Sequence, residues 1–306
     1  MSFTRRQFLL SASATALTSR LHSALIAEAE FKLGYHAITW GEQLEHAMSD
    51  ISELSYRGIQ IGQPNYAKYA QRSSEFKTLL AAKHLTLVSL SAGEVTIKPE
   101  TEKQEIADCV TMAKWIKEVG GLYLQVSDAV RGSNFRPMLD DYRKLGRRLT
   151  ELGKRAFGEY GIKLGYHNQM NSLGERREEV DRILDATDAK AVWVVPDIAH
   201  INVAQGDELK FIRDYITRIV FPHFKDVRIS QPWSKTLDGS TLRPKYNFVE
   251  LGQGQINVQG VFQLLKDFRY QGWIVIELDS APAGRTPKES AAISRRFVEE
   301  KLKLKV

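Results

Sequence analysis

"VWVVPDIAHINVAQGD", residues 192–207, opens as a buried strand and closes in polar groups. Val192, Trp193, Val194 and Val195 are large and mostly β-branched, as in a strand covered on both faces. Pro196 ends the run, and Asp197 and His200 follow at its C-terminal mouth with the spacing D-x-x-H. Burying a carboxylate or an imidazole without a partner is costly, so this placement points to a site.

Outward from this strand, short apolar runs alternate with stretches of helical period. Strands are expected at 31–38, 58–62, 85–90, 122–127, 162–167, 191–197, 219–226 and 273–279. Helices are expected at 43–56, 66–83, 101–118, 138–160, 174–187, 207–216, 257–269 and 287–303. Eight β/α units in about 275 residues predict a single α/β domain, a (β/α)8 TIM barrel over 30–306. A doubly wound open sheet is the rival, but "GEQLEH" after the first strand is not its Gly-rich phosphate turn. Residues 228–249 break the rhythm and read as a long loop covering the barrel mouth.

Composition leaves room for a large core, with 43% hydrophobic and 26% charged residues. The net charge is +6, and no long basic run follows Arg6, so charge gives no reason to expect nucleic acid. The single cysteine, Cys109, sits in the apolar period of "IADCVTMAKWI" and reads as core packing. At the N-terminus, "TRRQFLLSASATAL" places Arg5 and Arg6 before a short apolar stretch. With "AEA" at 27–29, residues 1–29 read as a cleavable signal of the twin-arginine type. That predicts a periplasmic protein with no stable membrane anchor after cleavage; homo-oligomerisation is left open.

The C-terminal ends of barrel strands form the active face. Four consecutive candidate strands end there in His167, with Asn168 and Gln169; in Asp197 and His200; in His223, Lys225 and Asp226; and in Glu277 and Asp279. Alternation puts His223 with Lys225 on one face and Glu277 with Asp279 on one face. His167, Asp197, His223 and Glu277 are therefore expected to meet around one divalent ion, Mn, Co, Zn or Mg. Asp226 is equally suited to capping the next segment. Lys225 competes between a role beside the ion and an ion pair with Asp226 or Glu277.

With these residues in view, the chain resembles the xylose-isomerase-like barrel superfamily of sugar isomerases and epimerases, and within it inosose dehydratase. The likeness is carried by "FKLGYHAITW", "YHNQMNSLGERREEVDRILDATDAKAVWVVPDIAH", "HFKDVR", "LGQGQINVQGVFQLLKDFRYQGWIVIELD" and "PKESAAISRRFVEEKL". It implies metal ligation by Asp197, His223 and Glu277, and contact of His200 with substrate oxygens. Sugar epimerases carry a ligand Glu on the fifth strand where this chain has Gly165, so His167 is the candidate fourth ligand. Gln60 stands where a Glu is common, and Gln169 where the dehydratase branch has a second His.

Enzymes of this kind remove a proton next to a carbonyl, giving an enediolate, and then eliminate or epimerise. A divalent ion stabilises the developing oxyanion as a Lewis acid. The expected proton carriers are Lys225, His200 and Glu94; the expected substrate contacts are His36, Trp40, His200, Asn168 and Gln169. The expected substrate is a keto-sugar or keto-cyclitol, dehydrated, epimerised or cleaved as a 3-keto-glycoside. A polyol-binding barrel without catalysis competes with this reading, and so, more weakly, does a nuclease of the AP-endonuclease kind.

Overall fold

The structure, a computed structural model, describes residues 30–132, 135–237 and 241–304. The export segment expected at 1–29 lies outside the described residues.

The barrel begins with strands β1 (Phe31–His36), β2 (Gly58–Gly62), β3 (Thr86–Val95), β4 (Tyr123–Asp128), β5 (Lys163–His167), β6 (Val192–Val195) and β7 (His223–Phe224). After β7 the chain leaves the barrel as a ribbon of β8 (Asp226–Gln231), β9 (Ser234–Lys235), β10 (Thr241–Leu242) and β11 (Lys245–Val249). It returns in β12 (Gly272–Ile276). The eight barrel strands are parallel in the order β6-β5-β4-β3-β2-β1-β12-β7. The two ends of that order meet through parallel bridges Val194↔Ile219 and Asp197↔His223.

Outside the strands lie α1 (Leu44–Glu53), α2 (Gln63–Tyr69), α3 (Ser73–Ala82), α4 (Glu102–Val119), α5 (Leu139–Tyr160), α6 (Arg177–Asp185), α7 (Ile198–Val203), α8 (Glu208–Tyr215), α9 (Val258–Asp267) and α10 (Pro287–Lys301). Gly120 and Gly161 take left-handed φ values of 78° and 72° and stop α4 and α5, as their positions in the sequence imply. Cys109 packs in the larger core, and burial pushes its thiol up to about 12.

Two expectations change. The helix read at 66–83 is two helices: Pro64 starts α2 early, and the chain breaks before Ser73. The stretch 228–249, read as a loop, is mostly paired β-structure, with β8 and β11 running antiparallel from Asp226↔Val249 outward. Its strands are short and partly exposed, which hides the alternation from a hydrophobic pattern.

Counting back by twos from Glu277 and His223 marks the inner barrel face: Val275, Trp273 and Phe221, buried together with Val88, Val195 and Val220. Two glycines make this packing fit. A Cβ on Gly58 would sit 2.4 Å from Trp273, and one on Gly165 would sit 2.6 Å from Val195. Any side chain at 165 is thus obstructed, and the next residue of β5 on that face is His167.

Candidate metal and active site

Asp197 is aimed by its own helix start. Its Oδ1 accepts the N–H groups of Ala199 and His200, each at 2.9 Å, as the N-cap of α7. That leaves Oδ2 pointing into the barrel mouth. Asn168 splints β5 to β6: Asp197 N–H donates to its Oδ1 at 2.9 Å, and its Nδ2 donates to Asp197 O at 3.3 Å. The sequence reading gave Asn168 to substrate; both ends of its amide are instead used in holding Asp197.

His167, Asp197, His223 and Glu277 are all buried and present ligand atoms within 4.8 Å of one another. Asp197 Oδ2 lies 3.6 Å from His167 Nε2 and 3.8 Å from His223 Nδ1, and Glu277 Oε2 lies 3.2 Å from His223 Nδ1. Both nitrogens of His167, Oδ2 of Asp197 and Nδ1 of His223 have no hydrogen-bond partner. Each such orphaned buried group costs about 1–3 kcal/mol. One such atom from each of His167, Asp197 and His223, gathered with a Glu277 oxygen, makes a donor set that fits a cation. Charge gives the same answer: Asp197, Glu277 and the adjoining Asp279 face Lys225 as the one ammonium, and a divalent ion would balance them. Imidazole and carboxylate together suit Zn, Mn or Co.

The tautomer of His223 is set from behind. Gln60 Nε2 donates to Gln125 Oε1 at 2.7 Å, and Gln125 Nε2 donates to Ser91 Oγ at 3.4 Å. The oxygen of Gln60 therefore faces His223 Nε2 at 2.8 Å and receives its hydrogen. The lone pair is left on Nδ1, toward Asp197 and Glu277. Sequence reasoning treated Gln60 as a loss. The usable signal was a buried amide in "GIQIG" and another in "LYLQVS", on strands two apart in the barrel order.

Lys225 is 1% exposed, with Nζ 2.8 Å from Glu277 Oε1, 2.6 Å from Asp279 Oδ1 and 3.9 Å from the centroid of Phe248. Burial opposes its charge, but Glu277, Asp197 and Asp279 outweigh it and raise the ammonium above its ordinary range. Burial likewise opposes the charge of Glu277, where His223 and Lys225 prevail and hold it low. His200 Nδ1 accepts from Met170 N–H at 3.2 Å, so Nε2 carries its hydrogen. Burial brings this imidazole down to about 3. Its Nε2 lies 3.4 Å from Lys225 Nζ, a meeting of two donors suited to one negatively charged oxygen. Phe248, from the ribbon, packs edge-on against His200 at 5.0 Å and covers the pair.

The remaining expected residues divide. His36 borders the cluster, with Nδ1 3.9 Å from Glu277 Oε2, and burial lowers it to about 4. Gln169 is half-buried in the turn after β5, its carbonyl accepting from Ser172 at 2.8 Å. Trp40, expected as a sugar platform, is buried; its Nε1 donates to Asp50 at 2.9 Å and its ring meets Tyr35 edge-on at 5.6 Å. Glu94, expected as a proton carrier, is exposed; its carboxylate accepts from Val130 N–H at 3.4 Å, and it lines a cleft with Cys109 and Met112 of α4. Asp226 caps: its oxygens accept from Gly252, Gly254 and Ile256 N–H at 2.9–3.0 Å. Asp279, exposed and bonded to Lys225, is the mouth carboxylate that the sequence reading left without a role.

A model of the xylose isomerase-like TIM barrel family matches residues 48–301. The chain belongs to that family. The inosose dehydratase of Bacillus velezensis is 29% identical over 276 residues, covering 86% of this chain and 90% of that protein. The inosose dehydratase of Clostridium perfringens is 26% identical over 300 residues, covering 89% and 98%. Among solved structures, the IolI protein with a zinc atom superposes with TM-score 0.70 at 18% identity, over 88% of this chain and 96% of that one. The 3-keto-D-glucoside 4-epimerase YcjR of E. coli superposes with TM-score 0.68 at 16% identity, over 87% and 100%. Both structures share the fold. The chain is an enzyme of the isomerase, epimerase and dehydratase type carried by this barrel.

Proposed function

We propose that this enzyme is a divalent-metal-dependent lyase or isomerase that takes a proton from the carbon next to the carbonyl of a keto-sugar or keto-cyclitol. The observation that carries the reading is the convergence of orphaned atoms from His167, Asp197 and His223, with Glu277, beside Lys225 and His200. A bound divalent ion would act as a Lewis acid on the carbonyl and neighbouring hydroxyl oxygens. Lys225 Nζ–H and His200 Nε2–H bind the oxygen on which charge develops. Asp279 keeps one oxygen clear of Lys225 at the exposed mouth and takes the carbon-bound proton. Lys225 returns a proton to the departing group. Loss of a β-hydroxyl gives dehydration, the reaction that the names of the inosose dehydratase relatives describe.

The test is turnover of 2-keto-inositol and of 3-keto-glucosides, with and without EDTA, alongside metal analysis of the purified protein. Substoichiometric metal, or turnover indifferent to EDTA, would refute the metal-dependent reading. We also read residues 1–29 as an export signal that brings the reaction to substrates outside the cytoplasm. Cell fractionation of the full chain and of an Arg5→Lys/Arg6→Lys variant decides that: equal distributions sink it.

A further inference from the structure

A cavity of about 570 Å³ lies between the turn after β5 and the ribbon. Arg131, Arg136, Arg176 and Arg243 line it, with Glu175 and Trp233. Asn171, in the same wall, directly follows Met170, whose N–H bonds His200. From the other side, Arg243 leads into β11, where Tyr246 and Phe248 meet edge-to-face at 5.3 Å and Phe248 covers Lys225. Extended backbone from 243 to 248 spans at most about 18 Å. The cavity and the cover of Lys225 are thus joined by one short strand, a span that an extended substrate would follow.

The acids here are already engaged. Glu175 accepts from Asn171 N–H at 2.7 Å and pairs with Arg243 and, at 3.7 Å, with Arg131. Arg131 also forks onto Glu179 at 2.9 and 3.1 Å. Both carboxylates are thus taken up by Arg131 and Arg243. Among the described residues Arg176 has no carboxylate within ion-pair distance; its guanidinium lies 5.3 Å from the centroid of Trp233, and that of Arg243 lies 4.9 Å from the same ring. The ring is pinned by a hydrogen bond from Nε1 to Val203 O at 2.6 Å. A π-face steadies a cation but does not cancel its charge, so the cavity keeps a positive potential.

We propose that this cavity is an anion subsite, receiving a carboxylate or phosphate carried by the substrate at the end remote from the reacting carbon. Guanidinium forks match the oxygens of such groups, and Trp233 with Phe135 offers apolar surface to the sugar or aryl body. The identity of the carrier rests on the keto-sugar reading above; anion binding by the cavity does not.

Calorimetric titration of the metal-loaded full chain with inorganic phosphate, beside Arg176→Gln and Arg243→Gln, reads the subsite directly. The expected result is saturable, salt-sensitive binding, weakened about tenfold or more in both variants while their metal content stays at the wild-type level. Equal binding in all three proteins puts the anion elsewhere, the metal centre included, and overturns the proposal; absence of binding in the wild type does the same. A second arm compares kcat/KM for 3-keto-glucosides bearing a carboxyaryl or a neutral aryl aglycone. A carboxylate preference that shrinks in Arg176→Gln assigns the anion to the substrate, and equal kcat/KM in the wild type overturns that assignment. If neither glucoside nor 2-keto-inositol turns over while phosphate still binds through the arginines, the carbonyl chemistry fails and the anion subsite stands.

Discussion

Replacing Gln60 with Met isolates the hydrogen bond behind His223. Methionine has nearly the length of glutamine and no comparable acceptor, so the 2.8 Å bond from His223 Nε2–H is lost within a site where both residues are fully buried. A buried donor left alone costs about 1–3 kcal/mol. The imidazole can avoid that cost by moving its hydrogen to Nδ1, where Glu277 Oε2 waits at 3.2 Å. That tautomer has no lone pair for a metal. Either route weakens the metal complex, and outer-shell partners of ligating histidines are worth about 10–100-fold in affinity. The expected loss is therefore about 1.4–2.8 kcal/mol of binding free energy. Gln60→Glu keeps an acceptor at the same place, and Gln125 can turn its amide to donate to it; this variant is expected to bind metal at least as tightly as wild type. Competition against a chromogenic chelator gives all three dissociation constants, and a thermal melt checks that each variant is folded. A folded Gln60→Met protein with a dissociation constant within about twofold of wild type would show that the amide does not set the tautomer.

Removal of the cation should lower stability. A ligand present at about 1,000 times its dissociation constant contributes about 4 kcal/mol, so dialysis against EDTA is expected to depress the melting temperature, and Zn or Mn to restore it; identical melts throughout would exclude a tight site. Lys225→Met is expected to lower kcat by about 10²–10⁴-fold while chelator competition still finds bound metal, and turnover within about tenfold of wild type would remove Lys225 from the chemistry. Gly153→Ala should cost about 1–3 kcal/mol in urea unfolding, because its Cβ would lie 2.1 Å from Ala191 O, a backbone atom of the segment entering β6; an unchanged midpoint would mean that α5 shifts freely. Cys109 should stay unreactive toward a thiol reagent until the chain unfolds, since it is buried and its thiol is pushed up to about 12; rapid labelling of the native protein would contradict this.

The barrel was legible because most of its strands carry a branched apolar run, and the four clustered residues because imidazoles and carboxylates at the ends of such runs stand out. His167 was legible from its place at a strand end, and the absence of a ligand at Gly165 agreed; the obstruction by Val195 that makes 165 a glycine belongs to the neighbouring strand. Trp40, Asn168 and Glu94 misled because their partners, Asp50, the backbone of Asp197 and the N–H of Val130, are fixed by tertiary placement. Gln60 and Gln125 were missed for a different reason. A neutral amide in a strand reads as a substituted acid until a second amide is seen bonded to it.

The ends of the strand order meet between β6 and β7, and one of the two parallel bridges that close that seam is Asp197↔His223. Backbone bonds from Val220 N to Val194 O at 3.1 Å and from His223 N to Pro196 O at 2.9 Å complete the join. A cation gripped by Asp197 and His223 would rivet the cylinder shut where its staves are least stitched together. Loading and closure would then be one event, and amide exchange at Val220 and His223 would slow when the ion arrives.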